Sequence, residues 1–180
     1  ISVSQDGADD GGGSVNVYDV PSGKRIRNIQ NPNSQSASLG TAGLFGEGLA
    51  LSGKILAIGT DTYSVGGSYT GSGRVYLYNA LSGELLQTID NPNAYGTVDN
   101  DRFGEIIAMD GPYLVVGTYQ EDDASGTGSG KAYVFDVDTG SLLHTLDNPD
   151  TTGAGDQFGY GVDVCGNYIA VGAPLNDDQA

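Results

Sequence analysis

Phe158-Gly159-Tyr160-Gly161-Val162-Asp163-Val164-Cys165-Gly166-Asn167-Tyr168-Ile169-Ala170-Val171-Gly172-Ala173-Pro174 is the stretch whose reading decides the fold. Val162 and Val164 alternate with Asp163, the period of a strand with one buried face. Cys165-Gly166-Asn167 supplies turn chemistry, and the unbroken apolar run from Tyr168 to Val171 predicts a second strand. The same unit recurs from Phe103-Gly104 to Tyr113-Leu114-Val115-Val116-Gly117, and from Phe45-Gly46 to Ile55-Leu56-Ala57-Ile58-Gly59. The chain is therefore read as repeats in register.

Working outward, a third strand is predicted at Val15-Asn16-Val17-Tyr18-Asp19, Val75-Tyr76-Leu77-Tyr78-Asn79 and Ala132-Tyr133-Val134-Phe135-Asp136. Each is followed by a turn ending in glycine, Pro21-Ser22-Gly23, Leu81-Ser82-Gly83 or Asp138-Thr139-Gly140, and then by a fourth strand of mixed polarity. Asn31-Pro32, Asn91-Pro92 and Asn148-Pro149 end the fourth strands, because proline cannot donate to a sheet ladder. Asn-Pro recurs at spacings of 60 and 57 residues and Phe-Gly at 58 and 55. Four antiparallel strands in each repeat of about 58 residues is the make-up of a β-propeller blade. The expected fold class is all-β, a partial ring of three blades plus extra strands. Repeats are placed at 1–44, which lacks its first strand, 45–102, 103–157 and a partial 158–180, in a single propeller segment spanning 1–180. Second strands, apolar on both faces, should be inner strands covered by neighbouring blades, and fourth strands the outer rim. Tyr18, Tyr76, Tyr78, Tyr113, Tyr133 and Tyr168 fall at repeat positions and are expected to pack in or between blades.

Both ends fall inside a repeat, and known propellers hold about 4 to 8 blades. Further flanking sequence is the expectation, with edge-to-edge association of chains as the alternative. The 23 acids against 7 Lys and Arg give a formal net charge of −16. That balance argues against nucleic-acid partners and anionic membrane surfaces. The single cysteine cannot close an internal disulfide, and no stretch is long and apolar enough for a membrane-spanning helix.

Phe158-Gly159 followed by Val171-Gly172-Ala173-Pro174 resembles the FG-GAP repeat, found in the propeller of integrin α-subunits and in many bacterial surface or secreted proteins. The resemblance spans nearly the whole chain. Phe-Gly is intact three times and Gly-Ala-Pro once, with Gly59-Thr60-Asp61 and Gly117-Thr118-Tyr119 standing in its place elsewhere. The third-strand pattern also resembles the propellers of quinoprotein dehydrogenases, but those carry a tryptophan per blade and this chain has none. The FG-GAP resemblance implies a non-catalytic, extracellular or cell-surface module for adhesion or binding.

Blade connectivity puts the short turns at one end of the sheets and the long loops at the other. The long loops carry Asp6, Asp9, Asp10, Asp61, Asp99, Asp101, Glu121, Asp122, Asp123, Asp150, Asp156, Asp177 and Asp178, so that face should be strongly negative. Calcium, which takes roughly six to eight oxygen ligands, is one reading of Asp6, Asp9, Asp10, Glu121, Asp122, Asp123, Asp177 and Asp178. Charge that merely keeps the loops solvated is the other, and both stand open. The integrin-type calcium loop does not carry over, because it lies between first and second strands, where this chain has only tight turns. Nor do these acids match the spacing of an EF-hand. Tyr63, Tyr69, Tyr95 and Tyr119, on the long loops, are candidates for stacking on a sugar ring.

His144, the single histidine, fills a slot held by Arg27 and Gln87 in the sister repeats, and Cys165 sits in a turn with no histidine near it in sequence. Neither reads as catalytic. Gly126-Thr127-Gly128-Ser129-Gly130-Lys131 lacks the glycine spacing and following helix of a phosphate loop. The expectation is a non-enzymatic module recognising a protein or glycan through its long-loop face. The alternatives are a structural protein assembling filaments or a surface layer through open blade edges, and an accessory propeller of a larger enzyme.

Overall fold

The computed structural model describes residues 2–4, 13–32, 44–60, 72–93, 101–122, 128–149 and 155–176. These residues are all-β, arranged as four antiparallel sheets. The first sheet contains β1 (Ser2–Ser4), β2 (Ser14–Tyr18) and β3 (Arg25–Gln30). The second runs in chain order through β4 (Leu49–Ser52), β5 (Ile55–Thr60), β6 (Arg74–Asn79) and β7 (Leu85–Asp90). The third repeats that order with β8 (Ile106–Asp110), β9 (Tyr113–Thr118), β10 (Lys131–Asp136) and β11 (Leu142–Asp147). The fourth pairs β12 (Gly161–Cys165) with β13 (Tyr168–Gly172). The two four-stranded meanders are propeller-type blades.

Local chemistry sets the register. Ser52 faces Ile55, Asp110 faces Tyr113 and Cys165 faces Tyr168 across two-residue turns. The first turn residue in each is a glycine with φ near +55°, a region closed to most side chains. The third-to-fourth turns are fastened by the residue ending the third strand. Asp19 accepts from the backbone N and the hydroxyl of Ser22 at 2.9 and 2.6 Å, and Asp136 accepts from both groups of Thr139 at 2.8 Å. Asn79 Oδ1 accepts from the backbone N of Leu81 and Ser82. The hydroxyl of Ser22 or Thr139 holds the Asp19 and Asp136 carboxyls below the usual carboxylate range.

The sheets stack face on face, and the core lies between them. Val15, Val17 and Ile29 of the first sheet meet Phe45, Leu56, Ile58, Tyr76 and Tyr78 of the second. On the other side of the second sheet, Ala57, Val75, Leu77 and Ile89 meet Phe103, Leu114, Val116, Tyr133 and Phe135 of the third. Val115 and Ala132 then meet Val164, with Phe158, Ile169 and Val171 partly buried beside them. β5 and β9 are thus covered on both faces, while β3, β7 and β11 form the exposed rim, as their mixed polarity predicts.

Gly59 explains how the sheets come so close. A Cβ there would be driven into the carbonyl oxygen of Gly104, which belongs to the Phe-Gly of the next repeat. Gly73 is excluded from substitution twice over, by φ +76° and by the Phe103 carbonyl. Phe-Gly is therefore a wedge between sheets, its ring filling the core and its backbone lying on the glycines of the preceding repeat.

Two expectations change here. β13, read as covered on both faces, is exposed or half-buried throughout, because among the described residues only the third sheet covers it. Tyr18 at 41 % exposure and Tyr168 at 82 % lie open, whereas Tyr76, Tyr78 and Tyr133 are buried as expected and Tyr113 is half-buried.

Candidate functional site

The long-loop end of the sheets holds the candidate residues, and of these Tyr119, Glu121 and Asp122 are described. Tyr63, Tyr69, Tyr95, Asp6, Asp9, Asp10, Asp123, Asp177 and Asp178 lie outside the described residues.

Glu121 follows β9 and turns inward. Its residue is fully buried, and Oε1 accepts a 2.5 Å hydrogen bond from the Tyr133 hydroxyl. Oε2 has no hydrogen-bond partner among the described residues. Burial is the main cause lifting its carboxyl to about 7; the Asp101 charge adds to the rise, while the Tyr133 and Thr118 hydrogen bonds and Lys131 oppose it. The Tyr133 hydroxyl is itself raised, by burial first and then by the Glu121 charge. Asp122, one residue on, instead accepts from the Gly128 backbone N at 2.9 Å. The two neighbouring acids thus point to different tasks, one in the core and one closing a loop. Among the described residues no three side chains of the metal-ligating types form a group.

Tyr119 is also buried, at 7 % exposure. Its hydroxyl donates to Glu105 Oε2 at 3.1 Å, and its ring meets Tyr160 edge-on at 4.9 Å between centroids. Arg102 joins the group by pairing with the same Glu105 oxygen at 3.3 Å and donating to Gln120. Burial, then the Glu105 charge, raises the Tyr119 hydroxyl to about 12, so it stays a donor at neutral pH. The aromatic surface this group offers to solvent is Tyr160, half-exposed. The sequence reading passed over Tyr160; the signal was an aromatic ring in the position that Glu47 and Glu105 occupy after the other two Phe-Gly pairs.

A second device was hidden in the Asn-Pro motif. Asn91 and Asn93 both donate side-chain amides to Asp101 Oδ2 at 2.8 Å, and Asn148 makes the same bond to Asp156. Each Asp stands two residues before a phenylalanine of Phe-Gly, and the intervening Arg102 and Gln157 adopt φ of 61° and 59°. Asparagine thus does more than precede a strand-ending proline: it ties the end of one blade to the wedge of the next. Asp101, Asp156 and Glu121 are buried, so these three acids do not add to a solvent-facing negative surface. Asp-x-Phe-Gly at 101–104 and 156–159 was the available signal.

His144 and Cys165 are both exposed. Among the described residues no helix is long and apolar enough to cross a membrane.

The FG-GAP repeat family model matches residues 94–135 and 149–180. No curated protein matches the chain. Among solved structures, the chain is similar to the crystal structure of the computationally designed Ika8 protein, at 17 % identity and a TM-score of 0.40. That likeness covers 94 % of this chain and 52 % of the other, so the chain spans about half the length of the structure it matches. The matched segments contain both Asp-x-Phe-Gly wedges and most of β10, the third strand that packs on the first of them.

Proposed function

We propose that the chain is a non-catalytic binding or adhesion module of propeller type, working outside the cell or at its surface, and that it engages a protein or glycan through its long-loop face. The observation that carries this reading is the asymmetry of the connections. At one end the strands are joined by two-residue turns and capped hairpins with little surface to vary. At the other end they are joined by long loops rich in Asp, Gly and Tyr, where recognition residues concentrate on a rigid scaffold. The FG-GAP repeats support a module of this kind, and the half-exposed Tyr160 ring supplies an apolar face suited to a sugar.

The test is binding of the chain to a glycan array and to immobilised extracellular proteins. Replacing Tyr63, Tyr69, Tyr95 and Tyr160 together by alanine should weaken binding at least about tenfold, roughly 1.4 kcal/mol. Leu81→Ser, on the turn end, should leave it unchanged. Equal binding by both variants would place recognition elsewhere and sink the proposal.

Assembly through open edges is the second reading, favoured by the exposed Tyr168 on β13. Sedimentation of the chain across a hundredfold concentration range, about two decades, separates it from a monomeric binder.

A further inference from the structure

The 7 Lys and Arg residues divide by their place in the fold. Arg74, Arg102 and Lys131 stand at the long-loop end, and each is paired with an acid: Asp90, Glu105 and Asp147 in turn. Lys24, Arg25, Arg27 and Lys54 belong to the short-turn end and are exposed. Among the described residues none of these four is at ion-pair distance from an acid. Arg25 donates instead to Asn16 Oδ1, and Arg27 to the Leu81 carbonyl.

The turns at this end stand in a row. Arg27 reaches from the first sheet to the Leu81 turn of the second, and Gln87 from the second sheet to the Asp138 turn of the third. The hairpin turns are tied in the same order, Gly111 N donating to the Ser52 hydroxyl and Gly166 N to Asp110. Along that row the charge changes sign. The first sheet sets Lys24, Arg25 and Arg27 against Asp19 alone, and the second has one charge of each sign, Lys54 and Glu84. The third has Asp110, Asp136 and Asp138, with no Lys or Arg in either of its turns. This end is therefore close to neutral, in a chain whose net charge is −16. At its middle lies Leu81, half-exposed, in the turn slot held by Pro21 in the first sheet and Asp138 in the third.

A surface that is basic on one side, balanced in the middle and acidic on the other is complementary to itself turned over. A two-fold rotation about a line through the middle turn lays the first-sheet turn of one copy on the third-sheet turn of the next. We propose that the turn end is a contact surface for a second copy of this chain, the two copies meeting turn end to turn end in this way. Lys24 and Arg25 of each copy then lie opposite Asp136 and Asp138 of the other, and the two Leu81 side chains meet on the axis. The net charge does not oppose this, because six-residue strands such as β7 hold the loop-end acids about 20 Å away, beyond two Debye lengths at physiological ionic strength. Exposed ion pairs are individually weak, so the expected dissociation constant is on the order of 100 μM. The contact goes beyond the binding face proposed above and does not depend on its ligand.

The test is sedimentation of the full chain from about 10 μM to about 1 mM in about 0.15 M salt, over which the wild type should pass from one copy to two. Lys24→Glu with Arg25→Glu, and separately Asp138→Lys, should each raise the dissociation constant at least about tenfold. An equal mixture of the two variants should recover wild-type association, because in the mixed pair both contacts again join opposite charges. A wild type that stays single throughout, a dimer that the reversals leave unchanged, or a mixture that fails to associate overturns the proposal. The unchanged dimer would be assembly through the open sheet edges. Should the double variant lose its cooperative melting, Lys24→Glu alone, at an exposed turn position, replaces it in the mixture.

Discussion

β9 and β13 occupy the same place in successive repeats and carry nearly the same apolar run, Tyr113 to Val116 and Tyr168 to Val171, yet they end in different surroundings. Leu114, Val115 and Val116 are fully buried, whereas β13 alternates between exposed and half-buried residues. Each forms a regular hairpin with its first strand, but β9 is also paired along its other edge with β10, whereas β13 has no second strand beside it among the described residues. The rest of the difference is a sheet stacked on the second face. An inner-strand sequence here records how many neighbours its blade has, and the hydrophobic stabilisation of each repeat is shared with the repeats beside it.

The sharpest way to break the comparison is at the glycines. Gly59→Ala puts a methyl group into the backbone of Gly104, which has no side chain to move aside. We expect a loss of at least about 4 kcal/mol and no cooperative melting transition by circular dichroism. Gly172→Ala, at the matching position of β13, meets nothing closer than 3.7 Å and should change stability by less than about 0.5 kcal/mol. If both variants melt like the wild type, the sheets are not in close contact at Gly59.

Next come the wedges. Phe103 is completely buried and meets Tyr133 and Phe135 at centroid distances of 6.2 and 5.9 Å. Phe103→Ala should cost about 3–5 kcal/mol in denaturant unfolding. Phe158, only partly buried, should cost roughly half as much by the same reasoning. Equal losses would mean that the fourth sheet is as well packed as the third.

These differences also mark what the sequence could disclose. The strands, turns and repeat register were legible because each rests on local chemistry: alternation, a glycine at the turn, a proline that ends a ladder. Which repeats are covered on both faces was not legible, because Tyr168 and Tyr113 look alike until a neighbouring sheet is in place. The site was legible only as a location. Acids in a long-loop segment read as surface charge, and nothing local to Glu121 signals that it turns inward beneath Tyr133, which lies 12 residues away. Asp101 was similarly obscured, since its partners Asn91 and Asn93 come from the far side of a loop and look like ordinary turn residues.

The asparagine–aspartate ties give a smaller effect. Asp101→Ala strands two amides and should cost about 2–3 kcal/mol, while Asp156→Ala strands one and should cost about 1–2. A double-mutant cycle with Asn91→Ala checks that the loss comes from the bond, since a purely structural cavity would give additive losses.

The smallest effect is a graded one along the rim. Arg27 donates through Nε and Nη2 to the Leu81 carbonyl of the next sheet, and Gln87 at the matching position donates to the Asp138 carbonyl at 2.8 Å. His144 stands third in this series, exposed on β11. Alanine at Arg27 should cost about 1 kcal/mol, because its bond is charge-assisted and doubled. At Gln87 the cost should be about 0.5 kcal/mol, because that bond is neutral, single and exposed. Alanine at His144 should cost close to nothing, since no further sheet lies against it among the described residues. Denaturation midpoints in that order would show that each rim side chain is worth what the neighbouring blade gives it to hold. A substantial loss at His144 would mean that its role lies within its own sheet, and the rungs between blades would not be a series.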